Sequence, residues 1–156
     1  MTVNIGGEFM IETYTCRNGV RIVLENIPTV RSVTMGVWVG TGSRYESETN
    51  GGISHFLEHM FFKGTKTKSA QEIAESFDAI GGQVNAFTSK EYTCYYARVL
   101  DTYKVYAMEV LADMFFHSVF PEDEIEREKK VVLEEIKMYE DSPDSHVHDL
   151  LAKANF

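Results

Sequence analysis

The sequence predicts an α+β domain with a mainly antiparallel sheet packed against helices. Three observations carry this expectation. Strand-like runs come in pairs closed by short turns, at 11–16 with 20–25 and at 83–89 with 92–100. Apolar residues recur at helical spacing over 53–62, 69–79, 101–117 and 121–141. The order is strands, two helices, a hairpin and then helices, which is not the alternation that builds a parallel sheet.

Taken in order, residues 11–16 alternate apolar and polar, Asn18-Gly19 is a strong hairpin turn, and 20–25 return as the second strand. Pro28 interrupts, and 32–39, rich in β-branched residues and carrying Trp38, form a third strand. Residues 40–50 read as a loop, and Gly51-Gly52 lead into a helix over 53–62. Phe56, Leu57, Met60 and Phe61 line the back of that helix, so it is expected to be largely buried. A basic loop comes next, at 63–68. Ser69 with Glu72 makes a capping box for a helix that ends before Gly81-Gly82. After the second hairpin, Asp101 is expected to cap a helix whose last turn holds His117, a cationic residue placed to suit the helix dipole. Pro121, then Glu122, Asp123 and Glu124, open a long helix to about 141. Pro143 breaks the chain, and Ser145 opens a last amphipathic stretch.

The 156 residues suffice for one domain with a sizeable core. Acidic residues outnumber basic ones, 24 to 15, giving a net charge of −9 with no Lys/Arg block. That excludes nucleic acid, whose affinity comes largely from phosphate neutralisation, and hints at basic peptides as ligands. Cys16 and Cys94 belong to no C-x-x-C pair and lie in strand-like runs. They read as reduced core residues of a cytoplasmic protein. No apolar run is long enough to span a membrane, and no signal-peptide pattern opens the chain. Residues 1–9 differ in character from the rest of the chain and Met10 makes a natural start, so 1–9 are read as an added leader and 10–156 as the domain.

The chemistry concentrates in His55-Phe56-Leu57-Glu58-His59. On a helix, His55 and His59 are one turn apart on one face, with Glu58 at its edge. Two such imidazoles can hold one zinc ion, with the carboxylate beside the ion's open position. The pattern is H-x-x-E-H, the zincin motif reversed. By contrast, His146 and His148 diverge by about 200° on a helix and cannot easily share an ion.

A third ligand is sought on the long helix. Its apolar face gathers Ile125, Val131, Val132, Ile136, Met138 and Tyr139, and Glu128 and Glu135 lie in the middle of that face. A carboxylate among apolar side chains is costly unless paired or bound to metal. Either could complete a His₂Glu set, or pair with a cation such as Arg98, and periodicity does not choose between them.

Three motifs together resemble the pitrilysin family of inverted zincins: H-F-L-E-H-M-F-F-K-G-T at 55–65, G-G-x-x-N-A-F-T-S at 81–89, and the glutamate-bearing helix at 121–141. The resemblance is closest to the bacterial, processing-peptidase-like branch and covers nearly everything from Met10 onward. It implies one zinc per chain held by His55, His59 and Glu135, with Glu58 as general base and Glu128 supporting a ligand. It also implies that Asn85, Ala86, Phe87 and Thr88 form the edge strand on which a peptide or unfolded polypeptide lies. Members of this branch have two similar halves and work as homo- or heterodimers. By that measure the chain is an N-terminal, incomplete domain, expected to be a zinc endopeptidase domain. The alternative is a non-catalytic partner subunit that keeps the fold, although such a subunit needs no carboxylate beside its metal.

Overall fold

The computed structural model describes residues 2–4 and 10–155. Residues 1–32 and 33–156 form two compact units. In the first, β1 (Thr2–Asn4), β2 (Met10–Thr15) and β3 (Arg21–Asn26) make a three-stranded sheet. Both pairings are antiparallel, and Gly19 takes the positive φ that the β2–β3 turn requires. Thr2–Asn4 thus pair with Met10–Glu12, while the expected boundary between leader and domain lies outside the described residues.

In the second unit, β4 (Ser32–Val39), β5 (Gln83–Thr88) and β6 (Thr93–Leu100) form a sheet of order β4-β6-β5, with β5 antiparallel to β6. The helices are α1 (Ile53–Met60), α2 (Ala70–Asp78), α3 (Lys104–His117), α4 (Glu122–Glu140) and α5 (Pro143–Asn155). The α+β class is therefore the observed architecture, with the β4-β6-β5 sheet packed against helices of its own unit. Tyr95, Ala97 and Val99, at period two on β6, meet Phe61, Ile73, Phe77, Ala107, Val110, Leu111 and Met114 in one core. The Phe61 and Tyr95 rings lie 4.1 Å apart between centroids, which ties the end of α1 to the central strand.

The Ser69 capping box forms as expected: the Ser69 Oγ accepts from the Glu72 N–H at 3.2 Å, and the Ser69 N–H donates to Glu72 Oε2 at 2.7 Å. Three boundaries differ. Asp101 opens a short 3-10 turn, Asp101–Tyr103, and the cap position of α3 is Tyr103. Pro121 takes the cap position of α4 in an extended conformation, which its fixed φ allows. Pro143 begins α5 rather than only preceding it, because a missing N–H costs nothing in a first turn.

Two burial expectations fail. On α1, Met60 and Phe61 are buried, but Leu57 is 40% exposed, so only part of the helix's back is covered. On α4, Val131, Ile136, Met138 and Tyr139 are all exposed, and Glu128 is the helix's only buried residue among those described. Periodicity identifies an apolar face, but it does not supply the neighbour that would cover it.

Candidate metal centre

The centre is built where α1 packs against α4. Gly52, at φ +87, turns the chain into α1 in a conformation that side-chain-bearing residues rarely adopt. Gly52 has no side chain with which to cap the helix. Glu46, from the preceding loop, does so instead: its carboxylate accepts the N–H of Gly52 at 2.6 Å and of Ser54 at 2.8 Å. Burial acts to raise the Glu46 pKa, but these backbone donors outweigh it and the net shift is downward. The sequence offered no signal for Glu46, because the capping residue lies outside the usual cap position.

One turn apart on α1, His55 and His59 bring their Nε2 atoms to 3.2 Å. Glu135 Oε2, from α4, lies 3.3 Å from His59 Nε2 and 3.8 Å from His55 Nε2. Among the described residues these three form the group of ligand atoms able to share a metal ion, all within 4.8 Å. Tetrahedral zinc with ligands about 2.0–2.1 Å away separates neighbouring ligand atoms by roughly 3.3–3.4 Å. The observed triangle is close to that face, so the residues fit zinc. Of the two glutamates left open by periodicity, Glu135 stands at the histidine pair.

Glu128 lies behind the pair. It is 4% exposed, and its Oε2 accepts from His59 Nδ1 at 3.1 Å. A carboxylate can only accept, so Nδ1 is the donor in this hydrogen bond, and Nε2 is the ring nitrogen that faces the other two members of the triangle. The Glu128 Oε1 is ion-paired with Lys63. Burial acts to raise the Glu128 pKa, but Lys63 and His59 outweigh it, and the net shift is downward. The cation is thus Lys63, not Arg98, which lies exposed on β6. Exposure is graded across the site: the His55 and Glu135 side chains are 43% and 46% exposed, His59 19% and Glu128 6%. The ligand triangle is open on one side and closed on the other.

Glu58 Oε2 is buried and has no hydrogen-bond partner among the described residues. An orphaned carboxylate oxygen is costly and signals a missing partner such as water or an ion. Glu58 lines a cleft of about 240 Å³ with His59, Phe62, Lys63 and Glu128. Burial and then the Glu58 charge push the Tyr95 phenol above its usual range, so Tyr95 also neighbours this carboxylate.

β5 lies at the edge of its sheet and packs against α1, with Thr88 Oγ1 3.5 Å from the Ser54 carbonyl. Asn85 and Phe87 are exposed, Ala86 is buried and Thr88 is half-buried, the alternation of a strand with one wet face. His117 donates to Asp113 at 3.0 Å, away from the centre, and His146 and His148 are exposed on α5. Cys94 is buried, which raises its thiol pKa, and both cysteines are free.

The antiparallel sheet, the helices packed on it and H-x-x-E-H on the first of them define a metallopeptidase-type domain. Residues 21–156 match the insulinase family, peptidase family M16, and the chain belongs to that family. It is 75% identical over 147 residues to the uncharacterized zinc protease YmxG of Bacillus subtilis, covering 94% of this chain and 36% of that protein. An uncharacterized zinc protease of Streptomyces coelicolor is 49% identical over 155 residues, covering 97% of this chain and 34% of that one. Among solved structures, a protease from Helicobacter pylori superposes with a TM-score of 0.82 at 31% identity, over 87% of this chain and 33% of that one. The chain thus spans about a third of the length of the relatives it matches. Among the described residues, no helix is long and apolar enough to cross a membrane.

Proposed function

We propose that this chain is the zinc-binding part of an endopeptidase that hydrolyses peptide bonds in peptides or unfolded polypeptides. The observation that carries the reading is the pairing of a zinc-sized triangle, His55, His59 and Glu135, with the orphaned Glu58 oxygen on the adjacent residue. One zinc ion per chain would be held by that triangle. When bound, zinc supplies Lewis acidity, lowering the pKa of a water toward neutrality and polarising the carbonyl under attack.

The remaining work falls to the chain's own residues. Glu58 takes the proton from the attacking water and passes it to the leaving amine. Glu128 holds His59 in the tautomer that presents Nε2. The free edge of β5, at Asn85, Ala86, Phe87 and Thr88, receives the substrate as an added strand and lays it across α1. The open side of the triangle, at His55 and Glu135, gives the peptide access. The full-length protein is expected to act as a homo- or heterodimer in the cytoplasm.

The test is Glu58→Gln in the full-length protein, with an unfolded polypeptide as substrate. Turnover should fall by about 10²–10⁴-fold, the usual worth of a general base, while bound zinc stays at the wild-type level. Wild-type turnover in the variant would remove Glu58 from the mechanism.

A further inference from the structure

Lys63 is the first charged residue after α1, and it reaches back to α4. Its ammonium is paired with Glu128 Oε1 and lies 4.0 Å from Glu124 Oε2, while Arg127 engages the other Glu124 oxygen. Glu124, Glu128 and Glu135 succeed one another along α4 at steps of four and seven, so they share a face. Lys63 thus grips the first two of these carboxylates, and the third is a ligand atom of the triangle. Its partner Glu128 divides its two oxygens, one for Lys63 and one for His59.

We propose that Lys63 is a positioning residue of the metal centre, clamping α4 to α1 in the register that brings Glu135 to the two histidines and orienting His59 through Glu128. Three features support this. The His and Glu ligands sit on different helices, so the triangle closes only if α4 neither slides nor rolls on α1. The pair is partly desolvated, with Glu128 almost fully buried and the Lys63 side chain 24% exposed, so solvent screens it less than a surface pair. Finally, without the ammonium Glu128 would be a buried carboxylate with His59 as its remaining partner. It would then draw on the imidazole it now only orients.

The inference rests on the zinc reading of the His55, His59 and Glu135 triangle, and the experiment separates the two. Cobalt(II) affinity is measured by chelator competition, with the visible absorption band recorded, for the wild-type chain and for Lys63→Met, Lys63→Gln and Lys63→Arg. Cobalt binding by the wild type tests the metal centre itself, and no binding there sinks that reading and this one with it. Given binding, Lys63→Met should lose about 10–100-fold in affinity, the usual cost of removing a residue that orients a ligand, with a shifted or weakened band. Lys63→Gln should fall between, and Lys63→Arg should stay within a few-fold of wild type. Wild-type affinity and an unchanged band in Lys63→Met and Lys63→Gln would overturn the proposal. So would a Lys63→Met chain that fails to fold without metal, because Lys63 would then hold the fold and not the centre.

Discussion

The Nε2 atoms of His55 and His59 face each other at 3.2 Å, a separation that suits two ligands of one ion. With Glu135 Oε2 at 3.3 Å from the second of them, removing one imidazole leaves only two protein ligands. Purified chain should carry about one zinc, and His59→Ala should carry almost none. Metal analysis of the two proteins decides it. Equal zinc in both would place the metal elsewhere.

Metal that binds only the folded chain stabilises it. At free zinc about 100-fold above its dissociation constant, the gain is about 2.7 kcal/mol. Chelator treatment should therefore lower the melting temperature by several degrees in the wild type and leave the His59→Ala protein unmoved. A chelator shift of equal size in both would argue against the triangle as the source.

Glu46 caps the helix that carries both histidines. Glu46→Ala should destabilise the chain by about 1 kcal/mol, the usual worth of a helix cap, and Glu46→Gln by less. Denaturant titration measures it. An unchanged midpoint in Glu46→Ala would mean that water replaces the carboxylate without loss.

Asp113, on α3, ties that helix to the loop that follows α1. Its Oδ2 accepts from Thr65 at 2.6 Å and Thr67 at 2.7 Å, and its Oδ1 accepts from His117 at 3.0 Å. The Thr65 hydrogen bond leads the effects that hold its pKa below the usual 3.8; burial opposes it, and Thr67 and His117 add to it. A folded pKa below the unfolded one gives stability that is fully present above pH 3.8 and is lost as pH falls through the folded value. Asp113→Asn should therefore be less stable than wild type at neutral pH, and the gap should narrow below pH 3.8. Melting temperatures across that range test the sign, and a gap that widens in acid would contradict it.

The elements were legible where local chemistry decides them. The Asn18-Gly19 turn, the Ser69 box and the second hairpin need only neighbours in sequence. The burial of Glu128 was also readable, since it sits in the middle of an apolar face. Its partner was not: Lys63 and Glu128 are far apart in sequence, and Arg98 was as good a candidate on composition alone. Glu135 lies in the middle of the apolar face that the period marks, yet it is half-exposed, because the apolar positions around it, Val131, Ile136 and Met138, are themselves uncovered. A helical period assigns residues to faces, and only tertiary packing decides which faces stay wet.

The two histidines and Glu135 stand on helices with α2, the second hairpin and α3 between them in the chain. During synthesis the histidine pair therefore leaves the ribosome before its third ligand exists. About 75 residues, at about 5–20 per second, put Glu135 some 4–15 s behind. For that interval the nascent chain offers only a two-imidazole half-site. Metal capture by the proposed triangle is thus tied to the synthesis of α4, and a chain aborted before that helix would lack the third member of the triangle.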